Sequence, residues 1–156
     1  QCAKGISNFH GAGRRFEKLA EINGITIMDD YAHHPKELEV TLKTAMKMDF
    51  RKVWAIFQPF TYSRTHNLFN DFAEVLKIPD HCIMTEIMAG REVNTYDIYT
   101  SQLAEKIPGS IWFNTFEEVA KYAVDNAKAG DLIITLGCGD IYKAAKIIIN
   151  KLRERQ

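Results

Sequence analysis

The sequence has few of the features that place a chain in a specialised class of protein. Its 156 residues include three cysteines, Cys2, Cys82 and Cys138, and their odd number and wide spacing match neither a disulfide framework nor a zinc site. We therefore expect a reducing, cytoplasmic setting. No apolar run approaches the roughly 20 residues that a membrane-spanning helix needs. No secretory signal pattern opens the chain, so we expect no membrane partner.

The chain also lacks an excess of charge of one sign. Lys and Arg together number 20, as do Asp and Glu, whereas a general nucleic-acid or membrane-surface binder carries a basic excess. Hydrophobic residues make up 46% and charged residues 26% of a sequence without repeats or linkers. This composition predicts a single globular domain over residues 1–156 that has no nucleic-acid partner.

Strand and helix patterns alternate along the chain. Asn23-Gly24 predicts a tight β-hairpin between RFEKLAEI and ITIMDD, and His34 with Pro35 begins a helix that runs to about Met48. Further strands are predicted at 52–57, 81–87, 110–113 and 131–137. Further helices are predicted at 64–76, at 96–107, after a Thr115 cap with Glu118 at the third helical position, and at 141–153. This order predicts an α/β Rossmann-like three-layer sandwich. It has about six mostly parallel strands, and the N-terminal hairpin adds one antiparallel strand.

Most of the polar and charged motifs fall in four loops that follow predicted strands, at 29–35, 58–65, 86–92 and 136–142. Ligands of open parallel sheets bind at the carboxyl ends of the strands. The sequence therefore predicts that this edge of the sheet is the working edge.

The loop GCGDIYKA resembles a phosphate-binding turn but completes neither common pattern. Gly137 and Gly139 match G-x-G-x-x-G, which Tyr142 breaks, and Ala144 replaces the hydroxyl residue of a P-loop. Two interpretations remain, a tight strand-to-helix turn and a loop that approaches a ligand through its backbone. A nucleophilic Cys138 has less support, because no paired base can be identified.

The segment DDYAHHP carries two pairs of adjacent polar residues. Neighbours diverge in an extended chain, and no other Cys or His completes a set, so we expect no metal site there. His34 is interpreted as the helix cap. Asp30 and His33 are the plausible ligand-facing pair, since a strand-end carboxylate can hold ribose hydroxyls and a charged histidine can bind an anion.

Three arginines are candidates for anion binding. Arg14 and Arg15 point to opposite faces if extended, so at most one serves a site, and a solvated edge is the alternative. Arg64 lies just before a predicted helix, where a cation is electrostatically unfavourable. It is either a surface residue or a group that shares a bound anion with the helix end.

The motifs FHGAGRRFE, DDYAHHPKE, FQPFTYSRT, AGRE and LGCGDIY occur in this order. Together they closely resemble the C-terminal domain of the Mur ligases, in the branch that joins L-alanine to UDP-N-acetylmuramate, over essentially the whole chain. The resemblance implies an ATP-dependent ligase of peptidoglycan synthesis. ATP phosphorylates a carboxylate, the amine attacks the acyl phosphate through a tetrahedral intermediate, and phosphate leaves.

The resemblance further implies the third of three domains. The first domain binds the UDP-sugar, and the central one carries the P-loop and the ligands of Mg²⁺. This chain has no P-loop, begins with Gln1 and opens on residues that look like a helix end. We therefore expect a fragment that works with N-terminal and central domains of the same polypeptide and is inactive alone.

The resemblance assigns roles position by position. Catalytic positions correspond to His33 and Arg64, nucleotide-binding positions to Arg15 and Asp30, and substrate-binding positions to Tyr31, His33, Arg64, Gly137 and Gly139. Relatives often have histidine at Phe60, and some have arginine at Thr61, so we expect this chain to lack a second carboxylate anchor. Two alternatives stay open, a tripeptide recycling ligase, which usually has phenylalanine at Tyr31, and a non-catalytic nucleotide-binding module.

Overall fold

A computed structural model describes residues 14–156 of the chain. Cys2, the helix-like opening and the first part of FHGAGRRFE lie outside the described residues. The strands are β1 Glu17–Ile22, β2 Ile25–Asp30, β3 Val53–Phe57, β4 His81–Thr85, β5 Ile111–Phe113 and β6 Leu132–Leu136. The helices are α1 Pro35–Lys47, α2 Tyr62–Asn67, α3 Phe69–Val75, α4 Thr100–Glu105, α5 Phe116–Asn126 and α6 Tyr142–Glu154.

The described strands form one sheet in the order β1-β2-β6-β3-β4-β5. Strand β1 pairs antiparallel with β2, and every other pairing is parallel. The predicted α/β architecture, with a mostly parallel sheet and one antiparallel strand from the hairpin, is confirmed. Asn23 and Gly24 have φ values of 54° and 77°, which a tight hairpin turn requires and which these two residue types tolerate.

The sheet is covered on both faces. Core residues of α1, α3 and α4 pack on one face, and those of α5 and α6 pack on the other. The central strands VWAIF and LIITL are buried at every position. They are continuous apolar runs because neither of their faces meets water.

The caps predicted for α1 and α5 are present. His34 Nδ1 accepts a hydrogen bond from the Lys36 N–H at 3.3 Å, and Pro35 follows as the first helical residue. Thr115 Oγ1 accepts from the Glu118 N–H at 3.2 Å, while the Glu118 carboxylate accepts from the Thr115 N–H at 3.0 Å. Each cap satisfies donors that the first turn of a helix leaves without intrahelical partners.

The prediction of one helix over 64–76 is wrong. Helix α2 begins earlier, where Thr61 Oγ1 accepts from the Arg64 N–H, and it ends at Asn67. Leu68 leaves the helical region, with φ −112° and ψ 22°, and α3 follows it. The second segment packs Phe72 against Phe57, with ring centroids 5.5 Å apart. Its apolar face belongs to the core, and tertiary packing overrides the continuous periodicity.

The helix predicted over 96–107 begins only at Thr100. The preceding residues form a turn in which the Asn94 side chain bonds both the N–H and the carbonyl of Ile98, and Asp97 has φ 52°. Thr100 Oγ1 then donates to the Thr85 carbonyl at 2.9 Å. Side-chain bonding to the local backbone thus replaces the first helical turn that the pattern suggested.

The four polar loops lie at the carboxyl ends of β2, β3, β4 and β6, as predicted. After β2 and β3 the chain passes to helices on one face, whereas after β6, which lies between them, it passes to α6 on the other. Such a reversal opens a crevice at the sheet edge. None of the helices in residues 14–156 has the length and apolar character needed to cross a membrane.

Candidate functional site

The centre of the carboxyl edge is organised by Arg14, in the turn before β1. Its Nε donates to Asp29 Oδ2 at 2.7 Å, and its two terminal nitrogens donate to the carbonyls of Gly137 at 2.7 Å and Gly139 at 2.9 Å. The Tyr142 ring centroid lies 4.9 Å from the guanidinium carbon. All three nitrogens are therefore engaged within the protein.

Asp29 is buried at the end of β2 and is the anion that holds Arg14. Its Oδ1 accepts from Thr135 Oγ1 of the neighbouring strand β6 at 2.6 Å. A buried carboxylate is tolerated only when it is paired and hydrogen-bonded, and here both of its oxygens have partners. Of the two adjacent acids, Asp29 has the internal role.

The next residues line a cavity of about 560 Å³ between the turn before β1 and helix α1. Its walls include Arg15, Phe16, Asp30, Tyr31, Lys36 and Val40. We call it the Asp30 cavity. It combines apolar walls with two cations, Arg15 and Lys36, and two carboxylates, Asp30 and Glu37. Its volume lies in the range of small-ligand sites.

Two backbone N–H groups hold the Asp30 carboxylate in place. Oδ2 accepts from the Phe16 N–H at 2.8 Å and Oδ1 from the Ala32 N–H at 2.7 Å. A carboxylate has about four lone-pair sites, so two remain for donors of a ligand. The turn before β1 therefore orients the carboxylate and presents Arg15 to the same cavity.

His33 stands beside Tyr31, with their ring centroids 5.5 Å apart in an edge-on arrangement. His33 Nδ1 lies 3.0 Å from the Tyr31 carbonyl oxygen. A carbonyl oxygen only accepts hydrogen bonds, so Nδ1 carries the hydrogen, and Nε2 is left for another partner. Glu37 Oε1 lies 4.0 Å from Nδ1, which adds a negative charge on the same side of the ring.

Arg64 faces a second cavity, of about 410 Å³, on the far side of the DDYAHHP segment. The cavity, here called the Arg64 cavity, is lined by His34, Thr61, Ser63, Arg64, Asn67 and Leu68. Ion pairs of arginines within residues 14–156 involve Arg14, Arg51 and Arg155. The Arg64 guanidinium has no carboxylate partner in that range and is suited to an anion from outside it.

The start of α2, which carries Arg64, is anchored by Glu92. The Ser63 N–H donates to Glu92 Oε2 at 2.9 Å, and the Ser63 hydroxyl donates to the other oxygen. These bonds and the nearby Arg64 charge hold the pKa of Glu92 below its usual value. The motif AGRE thus contributes an acid that fixes the first turn of α2.

The glycine loop, residues 137–141, joins β6 to α6 and passes close to neighbouring loops. Gly137 has φ 148°, and a Cβ there would lie 3.1 Å from the Gln58 carbonyl oxygen. A Cβ on Gly139 would lie 2.3 Å from Met88 Sδ and 2.7 Å from Gln58 Oε1. Glycine is therefore required by the backbone conformation at Gly137 and by space at Gly139.

Cys138 lies between the two glycines and is half-buried. Burial raises the pKa of its thiol, although the positive charges of Arg64 and Arg14 act in the opposite direction. A thiol with a raised pKa is a poor nucleophile at neutral pH. This observation gives no support to a nucleophilic Cys138.

The structure brings the sequence-predicted residues together in two groups at one edge. Arg15, Asp30 and Tyr31 share the Asp30 cavity, while Arg64 faces the Arg64 cavity. His33 belongs to the DDYAHHP segment, which lies between the two cavities. Within residues 14–156, no three His, Cys, Asp or Glu side chains cluster in a way that fits a metal ion.

Sequence reasoning named Arg14 only as the alternative to Arg15, and it missed Gln58 and Glu92. Gln58 is buried, and its Nε2 donates to Asp140 Oδ1 at 3.1 Å, while its Oε1 has no hydrogen-bond partner among residues 14–156. The motifs GRRFE, FQP and AGRE each contained one of these residues. The pattern did not indicate which member would turn inward, because that depends on contacts with distant loops.

Comparison with known proteins finds close relatives of this chain. A UDP-N-acetylmuramate–L-alanine ligase from Lachnospira eligens is 45% identical over 149 residues, which cover 93% of this chain and 32% of the relative. The corresponding ligase from Caldicellulosiruptor bescii is 47% identical, with coverage of 94% and 33%. The chain thus spans about a third of the length of these relatives.

A solved structure shares the fold. The UDP-N-acetylmuramate-alanine ligase from Thermotoga maritima superposes with a TM-score of 0.78 at 22% identity, covering 98% of this chain and 33% of that protein. The family model described as Mur ligase, glutamate ligase domain, matches residues 14–139, a range that runs from Arg14 to Gly139. Most of the chain is covered by that match, and the chain belongs to the Mur ligase, glutamate ligase domain family.

Proposed function

We propose that this chain is the C-terminal domain of an ATP-dependent ligase that joins L-alanine to UDP-N-acetylmuramate through an acyl phosphate in peptidoglycan synthesis. The single observation that carries this proposal is its 45–47% identity to ligases named for that reaction, over more than nine-tenths of this chain. The two cavities at the carboxyl edge support it, since one suits a nucleoside and the other suits a small anion.

The Asp30 cavity is the proposed nucleotide site. Asp30 retains lone pairs for ribose hydroxyls, and Arg15 supplies a guanidinium for phosphate oxygens. Phe16 and Val40 give the cavity an apolar wall on which a base can pack. The part of the nucleotide that these residues hold is the nucleoside and its nearest phosphates.

The Arg64 cavity is the proposed amino-acid site. Arg64 binds the carboxylate of L-alanine through its guanidinium. His33, whose Nδ1 hydrogen is held by the Tyr31 carbonyl, turns Nε2 toward the reacting groups. The glycine loop closes the other side of the reaction centre through Gly137 and Gly139.

In this proposal the chain contributes mainly positioning. The carboxylate of UDP-N-acetylmuramate takes the terminal phosphoryl group of ATP, and the alanine amine attacks the acyl phosphate. The tetrahedral intermediate collapses with loss of phosphate. Arg64 and Arg15 hold the amino acid and the nucleotide so that the attack is effectively intramolecular.

The remaining parts of the reaction belong to other domains of the same polypeptide. Residues 14–156 contain no group of three His, Cys, Asp or Glu side chains that could hold a metal ion, and we propose that the ligands of Mg²⁺ lie in the central domain with the P-loop. We further propose that the 156-residue chain is inactive alone and that the complete enzyme is cytoplasmic.

A reaction assay with the complete three-domain protein tests the function. ADP release should require both UDP-N-acetylmuramate and an amino-acid acceptor, and L-alanine should be used far better than the L-alanyl-γ-D-glutamyl-diamino-acid tripeptide. Preference for the tripeptide would instead identify a recycling ligase. Nucleotide binding without acceptor-dependent ADP release would identify a non-catalytic module.

Arg64→Ala tests the carboxylate anchor. A hydrogen bond to a charged group contributes roughly 1.5–3 kcal/mol, so the KM for L-alanine should rise about 10- to 100-fold, while the KM for UDP-N-acetylmuramate stays within about twofold. Arg64→Lys keeps the charge and should give a smaller rise. Equal increases in both KM values would refute the assigned role.

Asp30→Asn tests the ribose contact. The amide keeps the shape of the side chain but loses the charge and one acceptor oxygen. The KM for ATP should rise several-fold, and the KM for L-alanine should change little. Unchanged ATP kinetics would show that Asp30 serves only the turn before β1.

A further inference from the structure

Arg14 lies at the carboxyl edge of the sheet, and all three of its guanidinium nitrogens donate to groups of the protein. Its nitrogens donate to Asp29, Gly137 and Gly139, and its side chain is 21% exposed. The ring centroids of Tyr31 and Tyr142 lie 5.3 and 4.9 Å from the guanidinium carbon. The hydrogen bonds of the guanidinium are therefore made to acceptors of the protein itself.

The acceptors of Arg14 come from distant parts of the chain. Gly137 and Gly139 follow Arg14 by 123 and 125 positions, and both offer backbone carbonyls. A planar fork can bind two carbonyls of one loop at the same time, which a single ammonium cannot do with the same geometry. The guanidinium thus sets the orientation of the Gly137–Cys138 and Gly139–Asp140 peptide groups.

The carboxylate that holds Arg14 is itself held by a hydrogen bond. Asp29 lies at the end of β2 with its side chain 2% exposed, and Thr135 of β6 donates to its second oxygen. The Arg14 carbonyl accepts from the Tyr31 N–H at 2.6 Å. The glycine loop is therefore tied through one side chain to two central strands and to the DDYAHHP segment.

We propose that Arg14 is a positioning residue that holds the glycine loop in the conformation that completes the amino-acid site. It does not contact substrate. Arg15, its neighbour, lines the Asp30 cavity, so two consecutive arginines divide the work, one holding a loop and one facing the nucleotide. This inference rests on the proposed function for its substrate, but the loop contact itself can be tested independently.

Arg14→Gly is the informative change. Arg14 has φ 69°, a conformation that glycine adopts readily, so the turn before β1 is retained while the guanidinium is removed. Asp29 would then be buried without its cation. The double variant Arg14→Gly/Asp29→Asn removes that charge and separates the loss of the loop contact from the effect of a buried unpaired acid.

Amide hydrogen exchange of the complete protein is the first measurement. Exchange across residues 137–141 should become at least about tenfold faster in Arg14→Gly and in the double variant, because two charge-assisted bonds to the loop are lost. Exchange in β3 should be unchanged. Arg15→Ala is the matched control from the same turn, and it should leave loop exchange as in the wild type.

Kinetics of the complete enzyme are the second measurement. The KM for L-alanine should rise about tenfold or more in Arg14→Gly, whereas the KM values for ATP and UDP-N-acetylmuramate stay within about twofold. Methylguanidinium added to Arg14→Gly should lower the alanine KM and should have no effect on Arg64→Ala. Arg14→Lys, which keeps the charge beside Asp29, should also show a raised alanine KM and serves if the glycine variant does not fold.

The outcomes are separable. Unchanged loop exchange in a folded Arg14→Gly protein would overturn the inference whatever the reaction is. Equal changes in all three KM values, without rescue by methylguanidinium, would reduce Arg14 to a general structural role and would also overturn it. Failure of the wild-type enzyme to use L-alanine would reject the proposed function, while faster loop exchange would still establish the contact.

Discussion

Replacing Gly139 by alanine is a test of how tightly the glycine loop is packed. The added Cβ would lie 2.3 Å from Met88 Sδ and 2.7 Å from Gln58 Oε1, whereas favourable contacts between heavy atoms lie near about 3.5–4.0 Å. Met88 is 41% exposed and can turn toward solvent. Gln58 is 5% exposed and bonded to Asp140, so its movement breaks a hydrogen bond.

The expected loss of stability follows from these two adjustments. Overpacking a well-filled site costs about 1–3 kcal/mol of unfolding free energy. We expect a cost in that range for Gly139→Ala, because the added Cβ displaces the Gln58 side chain. For a domain of this size, 1 kcal/mol shifts Tm by roughly 2–4 °C. We therefore expect Gly139→Ala to lower Tm by roughly 3–10 °C in thermal unfolding followed by circular dichroism.

A second substitution isolates the steric cause. Met88→Ala removes the nearer of the two clashing atoms, and Gly139→Ala/Met88→Ala should recover part of the loss in a double-mutant cycle. A Gly139→Ala protein as stable as the wild type, or a cycle with no coupling, would refute this account of the loop.

Three further predictions concern caps, thiols and pH. Thr115→Ala should cost about 0.5–2 kcal/mol of unfolding free energy, because it removes the capping box of α5, and Thr115→Ser should retain most of it. In native protein at pH 8, a maleimide should label Cys138 while sparing Cys82, whose burial raises its pKa to about 12; both should react after denaturation. Burial opposes ionisation of Asp131, yet hydrogen bonds from the Lys128 N–H, Arg51 and the Trp54 indole hold its pKa below the usual value. Its stabilising effect is therefore present above about pH 4 and lost as pH falls below that, and Asp131→Asn should flatten the dependence of Tm on pH in that acid range.

The sequence correctly predicted the elements that depend on interactions between residues close together in the chain. Asn23-Gly24 allowed positive φ values, Thr115 and Glu118 formed a capping box, and the apolar runs became buried strands. In each case the deciding interaction lies within a few residues. A sequence reader can evaluate such interactions without knowing the rest of the fold.

The helices over 64–76 and 96–107 were misjudged for the opposite reason. The helix predicted over 64–76 is interrupted at Leu68, and α3 packs on the core beside Phe57. In the helix predicted over 96–107, the Asn94 side chain bonds the backbone of Ile98 before α4 begins. Helical periodicity was present in both segments. Competing contacts, one tertiary and one from a side chain to the backbone, determined where the helices start and stop.

The sequence by itself determined the α/β class and the polar loops at the carboxyl ends of the strands, because periodicity and turn chemistry act over short distances. Only the tertiary structure decided which of two adjacent arginines turns inward, since Arg14 finds its acceptors in a loop more than 120 positions away. The same holds for Asp29 and Asp30, of which the first is buried against Thr135 and the second faces a cavity. Adjacent residues of the same chemical type take different roles because their side chains point in different directions, and long-range packing sets those directions.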